Sequence, residues 1–250
     1  MDIRFAHWLG NILGEKPFNP HIHISKVLNR QAVGREWKWT ERQDLKYAMH
    51  GSVIRAKTGG VMIEFRQAVK EDSTDIARLF LISSDGLAEY IWSKVAEPGE
   101  SILEAGARRY AREGVAFSFE NCLMAELDGV TVAMAHSFGM EEDPDAEPES
   151  DPVLKIYSEL EDYGSLYLSS MAVVEEHRNA GIGKSLMEAV NQRARDLSLP
   201  RISLICFDRN EGAMRLYRRI GFEELDRRAV VPHATLHYQD GDAVLLARKI

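Results

Sequence analysis

At residue 62 the chain takes on a regular pattern. "MIEFRQAV" alternates apolar and polar positions as a half-buried strand does, and "EDSTDIARLFLISSDG" then repeats apolar residues at helical spacing, with Asp72 or Ser73 as N-cap and Asp75 in the first turn. Two more helices are predicted over "LAEYIWSKV", which ends before Pro98, and "ESILEAGARRYAREG", which stops at Gly114. "FENCLMAELDGVTVAMAHSF" reads as two strands joined by Asp128 and Gly129, a strong hairpin signal. Next come a helix over "PVLKIYSELEDYG", a buried strand over "SLYLSSMAVV" and a helix over "GKSLMEAVNQRARDL". "RISLICF" is a strand, "NEGAMRLYRRIG" a helix ended by Gly221, and "FEELDRRAVV" and "DAVLLARKI" are closing strands. The order β-α-α-α-β-β-α-β-α-β-α-β-β predicts one α/β domain over residues 62–250, an α+β mixed sheet flanked by helices. Parallel pairing is expected between the two strands joined through the helix after Gly181.

Residues 1–61 show no clean period. They hold a proline-containing stretch, "KPFNPHIHI", and a short helix is predicted over "EWKWTERQDLKYAMHG" with Trp37 and Trp39 on different faces. Two expectations stand for this N-terminal extension: a dispensable, disordered or start-site stretch, or a docking or dimerising segment that buries the two tryptophans.

Composition narrows the function classes. A 45% hydrophobic content suffices for a sizeable core, and no apolar run reaches the roughly 20 residues of a membrane helix. The N-terminus lacks a secretion signal, so a soluble, cytoplasmic protein without a membrane partner is expected. Cys122 and Cys206 lie in apolar strand-like runs, as reduced buried thiols do. The net charge of −8 is concentrated in residues 141–151, which hold seven acids and no base. That segment is either a solvated connection or a collar for a cationic substrate. Residues 26–57 are locally basic, but the overall balance gives no broad basic face for nucleic acid. His21, His23, His233 and His237 have no third ligand at a recognisable spacing, so no metal is expected.

Chemistry concentrates in "EEHRNAGIGKSLMEAV", residues 175–190, a glycine turn that runs into a helix. A Walker A loop needs a glycine five residues before Gly183, where Arg178 stands; a dinucleotide fingerprint needs one at position 186, where Leu186 stands. The remaining pattern, R-x-x-G-x-G, suits a pyrophosphate. Glycines let the group approach, and the free amides of a helix start point at it. The amides from Asn179 through Ala180, Gly181, Ile182, Gly183 and Lys184 to Ser185 are the expected cradle, with Arg178 and Lys184 adding charge.

"MAVVEEHRNAGIGKSLMEAV" followed by "NEGAMRLYRRIGFEE" resembles the GNAT (Gcn5-related) N-acetyltransferase superfamily, in the loop and in the signature formed by Asn210, Ala213, Tyr217, Gly221 and Phe222. "MIEFRQAVKEDSTDIARL" resembles that fold's opening, so the resemblance covers roughly residues 62–250. Glu175 and Asn179 stand where the family often has Pro and Gly, and neither change removes an amide. The resemblance implies a twisted mixed sheet with one splayed strand pair, and acetyl-CoA as donor, its pantetheine arm along the backbone of Met171, Ala172 and Val173. It implies transfer to a primary amine by direct attack in a ternary complex. The backbone amide near Met171 would meet the oxyanion, and Tyr217 would act as general acid, its phenol within about two pKa units of a thiol. Asn210 would both cap its helix and reach the cofactor.

The amine must lose a proton, and Glu126, His136, Glu161 and Asp162 are all candidate bases. Ser169 and Ser170 interrupt an apolar strand, either to make room for the acetyl group and offer a hydroxyl or because the strand bulges there. The expected acceptor is a small-molecule amine or a peptide or protein amino group, cationic if the acidic collar acts, with the enzyme a monomer or homodimer. The alternative is a non-catalytic acyl-CoA-binding or sensing module, which would keep the loop and lose the acid.

Overall fold

The computed structural model describes residues 48–50, 53–58, 61–144 and 148–250. Nine strands form one sheet in the order β1-β2-β3-β4-β5-β6-β7-β9-β8: β1 (Ala48–His50), β2 (Val53–Thr58), β3 (Val61–Gln67), β4 (Cys122–Leu127), β5 (Val130–Gly139), β6 (Leu166–Val173), β7 (Arg201–Phe207), β8 (Glu223–Ala229) and β9 (Asp242–Lys249). Among the described residues six α-helices accompany them: α1 (Ser73–Ser83), α2 (Leu87–Ser93), α3 (Ile102–Tyr110), α4 (Pro152–Ser158), α5 (Ile182–Asp196) and α6 (Glu211–Arg219). From residue 61 onward every expected element is present in the expected order. All strand pairs are antiparallel except β6 with β7.

The sheet also reaches back before residue 62. The C-terminal end of the helix expected over residues 36–51 is instead the three-residue strand β1, which pairs antiparallel with β2. The positions of Trp37 and Trp39 lie outside the described residues.

Local signals account for the element boundaries. Asp128 and Gly129 take φ of 51° and 77°, the left-handed pair that a two-residue hairpin needs. Ser101 caps α3, accepting from the Glu104 amide while the Glu104 carboxylate accepts from the Ser101 amide. Asp151 caps α4 through the amides of Val153 and Leu154.

Two cores lie on opposite faces of the sheet. One packs α1–α4 against it through Ile76, Leu79, Phe80, Trp92, Tyr110 and Tyr157. The other packs α5 and α6 through Ile182, Leu186, Val190 and Met214. Leu186, the residue that excludes a dinucleotide fingerprint, is fully buried in this second core. Cys122 and Cys206 are both free and buried.

Candidate functional site

The parallel pairing of β6 with β7 is confined to Leu166 with Ile202 and Tyr167 with Ser203, after which the strands part. A buried hydrogen bond of 2.6 Å between the Ser165 and Ser203 hydroxyls sits at the root of the fork. Beyond it opens a cleft of about 1050 Å3, lined by β6 from Tyr167 to Val173, β7 from Leu204 to Phe207, the ends of α1–α3, the loop before α5, and α6.

The backbone facing that gap follows from strand alternation. Val174 donates its amide to Val132 on β5 at 2.9 Å, so Ala172 and Ser170, two and four residues earlier, also direct their backbone groups toward β5. Met171 and Val173 therefore direct theirs into the gap. Of the three residues expected to meet a pantetheine arm, Ala172 has its backbone committed to the β5 ladder opposite Met134 and contributes only its side-chain face to the cleft.

At the mouth of the cleft the loop before α5 curls through positive φ at Asn179 (61°) and Gly181 (86°). The left-handed turn at Gly181, the N-cap of α5, costs glycine little. Among the described residues the amides of Asn179, Ala180, Gly181, Ile182 and Gly183 have no hydrogen-bond acceptor, whereas those of Lys184 and Ser185 both donate to the Gly181 carbonyl, at 3.1 and 3.2 Å. The expected cradle is thus shorter at its C-terminal end, because the first turn of the helix already uses those two donors. Ser185 is buried, and neither it nor Ala180 lines the cleft. A Cβ on Gly183 would meet nothing nearer than Val173 Cγ2 at 4.0 Å, so the space over the cradle is open. Of these unpaired amides, those of the cleft-lining residues Asn179, Gly181, Ile182 and Gly183 lie at the positive end of a helix dipole beside Arg178 and Lys184, which suits a pyrophosphate in charge. Arg178 Nε donates to the Val173 carbonyl at 3.2 Å, tying the loop to the splayed strand.

Asn210 caps α6, accepting from the Ala213 amide at 3.2 Å, and donates through Nδ2 to Asp85 at 3.2 Å. One face of α6 carries Ala213, Leu216 and Tyr217 to the cleft. The Tyr217 ring packs on Phe222 with centroids 5.5 Å apart. Burial pushes its phenol well above the ordinary tyrosine value, with the neighbouring Cys206 and Asp85 adding to the shift. The expected match to a thiol is therefore looser in the free protein, but the phenol stays protonated at any physiological pH.

The four expected bases do not converge on the cleft. Glu126 accepts from Arg66 at 2.5 Å, and the same guanidinium holds Asp72, fastening β3 and β4 to the start of α1. Asp162 accepts two bonds from Arg201, at 2.7 and 2.5 Å. Glu161 accepts from the Tyr163 hydroxyl, and burial lifts its carboxyl to about 7, yet it is not part of the cleft wall.

His136 is fully buried among the rings of Phe80, Tyr110, Phe117 and Phe138. Its Nε2 lies 3.0 Å from the Ala116 carbonyl and must carry the proton there, leaving Nδ1 to accept from the Ser169 hydroxyl. Ser169 is the extra residue of a β-bulge between His136/Ser137 and Leu168/Ser170, and it lines the cleft; Ser170 bonds to Ser83 of α1 at 2.6 Å.

Burial pushes the His136 imidazole down to about 3, whereas a free histidine titrates near 6.5. Between those values the unfolded chain binds a proton that the folded chain does not, so this contribution to stability is lost as pH falls, by about 1.4 kcal/mol per unit below ~6.5. Melting temperatures measured from pH 7 to pH 5 should fall more steeply for the wild type than for His136→Gln; equal slopes would refute the assignment.

Two residues of the wall carried no recognisable signal in the sequence. Asp85 contributes the one carboxylate that lines the cleft among the described residues, and burial raises its pKa. Asp85 and Gly86 form a left-handed turn, with φ of 49° and 89°, between α1 and α2. The Asp85 carbonyl accepts from His237, and its carboxylate lies 3.7 Å from the His237 ring nitrogen. Arg109, near the end of α3, is the other. In the sequence both residues fall at the end of the helix expected over "EDSTDIARLFLISSDG", and nothing local tells where the aspartate points.

Residues 89–222, more than half of the chain, match the family described as "Acetyltransferase (GNAT) family". A 60-residue stretch is 32% identical to an uncharacterized N-acetyltransferase, YycN, of Bacillus subtilis (strain 168), covering 24% of this chain and only 38% of that protein. The fold is similar to a crystal structure described as an acetyltransferase (20% identity, TM-score 0.52, 74% of this chain and 98% of that one). It is also similar to an N-acetyltransferase from Staphylococcus aureus Mu50 (18% identity, TM-score 0.51, 74% and 99%) and a GNAT-family acetyltransferase from Listeria monocytogenes 4b F2365 (17% identity, TM-score 0.50, 78% and 99%).

Proposed function

Because the chain belongs to the acetyltransferase (GNAT) family, we propose that it moves an acetyl group from acetyl-CoA to the primary amine of a small molecule or peptide, by direct attack within a ternary complex. The observation that carries this reading is the fork itself: β6 leaves β7 after two residue pairs, and the unpaired backbone of Met171, the amide cradle and Tyr217 all line the opening. Acetyl-CoA, when bound, supplies the acetyl thioester. The amides of Asn179, Gly181, Ile182 and Gly183 hold the pyrophosphate. The Met171 amide, aimed into the gap and fixed by the ladder on either side of it, stabilises the oxyanion that develops at the carbonyl without reorganising. Tyr217 gives its proton to the departing thiolate.

Asp85 takes the place of the bases read from the sequence, because it alone brings a carboxylate to the cleft wall among the described residues. Through a water molecule it accepts the proton of the incoming ammonium. Its raised pKa places the acidic limb of kcat/KM above the ordinary carboxylate range: the base is ionised, hence active, only above that value. Asp85→Asn should lower kcat/KM by about 10²-fold and remove that limb from the pH profile; a variant with an unchanged limb would remove Asp85 from this role.

Calorimetric titration with acetyl-CoA and with ATP, followed by thiol release with a panel of amines, tests the whole reading. ATP binding without acetyl-CoA binding would overturn it. Acetyl-CoA binding without thiol release from any amine would favour a sensing module instead.

A further inference from the structure

The acceptor side of the cleft holds a buried cation with no counter-ion. Arg109 is 5% exposed and lines the cleft, and among the described residues its guanidinium makes no hydrogen bond and no ion pair. The charges that act on it come from Arg112, Tyr110 and Arg108, of which none is a carboxylate, and burial lowers its pKa to about 9. The last-turn carbonyls of α3 offset part of the cost of this charge. The next residue, Tyr110, is 1% exposed, also lines the cleft, and has a hydroxyl with no hydrogen-bond partner. The Tyr110 hydroxyl is thus withdrawn from water without a partner among the described residues, and beside it the Arg109 guanidinium meets only the cleft, an arrangement that is costly unless a ligand completes it.

The packing that seats Arg109 is specific. Gly106, one helical turn earlier on the same face of α3, stands where a Cβ would lie 2.3 Å from Cζ3 of Trp92, so α3 rests directly on α2. This fixes the end of α3 at the cleft, among Phe80, Trp92 and Phe117.

The position of Arg109 also separates it from the cofactor's phosphates. α3 packs into the core on one face of the sheet, whereas α5, whose start forms the amide cradle, packs into the core on the other. An anion held at the cradle reaches the cleft from the α5 side, and Arg109 meets whatever enters from the opposite side.

We propose that Arg109 recognises an anionic oxygen group, carboxylate or phosphate, on the acceptor, so that the substrate is an amine carrying its own negative charge. This rests on the acetyltransferase reading given above and sharpens it. A planar guanidinium in an apolar wall pairs with such a group by two parallel hydrogen bonds, a geometry that a neutral or cationic acceptor cannot use. It also replaces the expectation of a cationic acceptor. Of the acidic segment 141–151, no described residue lines the cleft; Asp151 pairs with Lys94 at 2.6 Å and accepts from Tyr90 at 2.7 Å, while Glu149 accepts from the Asp151 amide.

The test uses the full chain with acetyl-CoA and matched acceptors: phenylalanine, phenylalaninamide and 2-phenylethylamine, then O-phosphoethanolamine against ethanolamine, with spermidine as the cationic probe. The expected result is a kcat/KM at least about tenfold higher for an acid than for its neutral counterpart, with the first set reporting carboxylate and the second phosphate. Arg109→Met should collapse that ratio to about one, chiefly through KM, and Arg109→Lys should keep part of it. Because Arg109→Met also removes an uncompensated buried charge, thermal stability independent of activity should be equal or higher, whereas loss of stability would mean that the arginine serves the fold. Equal rates for acids and neutral amines, preference for spermidine, or a ratio that survives Arg109→Met would overturn the proposal. Failure to bind acetyl-CoA would instead overturn the acetyltransferase reading, and the calorimetric titration separates the two.

Discussion

Replacing Tyr217 by phenylalanine is expected to lower kcat by about 10²- to 10³-fold while changing the dissociation constant of acetyl-CoA by no more than about threefold. The ring would still pack on Phe222, 5.5 Å away, and α6 would keep its cap at Asn210, so the variant isolates the hydroxyl. The phenol's raised pKa decides the pH behaviour. Burial holds the group protonated beyond its ordinary range near 10, so the wild-type rate should show no alkaline decline due to Tyr217 below about pH 10. Single-turnover thiol release with saturating amine is the appropriate measurement. A Tyr217→Phe enzyme with wild-type kcat would remove the proton-donor role and leave the tyrosine as packing.

The second large effect concerns the turn that carries Asp85. Gly86 takes φ of +89°, and a Cβ there would lie 1.9 Å from the Thr235 carbonyl oxygen and 2.9 Å from Leu236 Cα, both backbone atoms. Gly86→Ala must either part the α1–α2 turn from residues 235–237 or unfold it locally, and it should cost about 3 kcal/mol or more, read as a fall in melting temperature of roughly 6–12 °C. Gly99 provides the control: it has φ of +86° and nothing within 4 Å of its Cβ position. Gly99→Ala should therefore show only the left-handed backbone cost, about 1–2 kcal/mol. Equal losses in the two variants would mean that the contact with residues 235–237 is not rigid. Because the Asp85 carboxylate receives the Asn210 amide at 3.2 Å, Gly86→Ala should also disturb the start of α6.

The contrast between Tyr217 and Asp85 shows what a linear reading can reach. The cradle and Tyr217 belong to chain-local devices, a strand-turn-helix and a capped helix, whose residue spacing is set by backbone geometry, so their order along the chain displays them. The hairpin at Asp128 and Gly129 is legible for the same reason. Asp85 is set in place by Asn210 and His237, each more than a hundred residues away, and Arg109 is distinguished by burial without a counter-ion among the described residues, so neither has a local pattern. His136 was legible as a titratable residue beside a strand end, but its neutrality depends on four aromatic neighbours and the Ala116 carbonyl. Glu126 and Asp162 were equally visible, and only their arginine partners, 60 and 39 residues away, distinguish a structural acid from a free one. At the N-terminal edge, β1 escaped because three residues of edge strand have too little pattern to outweigh a helix-like composition.

The fork between β6 and β7 also divides the polypeptide in time. Every strand on one side of it ends by residue 173, and every strand on the other begins at residue 201 or later, with α5 carrying the chain across. A ribosome therefore finishes one wall of the cleft before it has made any strand of the other, and the proposed proton donor follows later still, at residue 217. A nascent chain that stops short of β7 can pair β1–β6 into a sheet, yet it has only one side of the cleft.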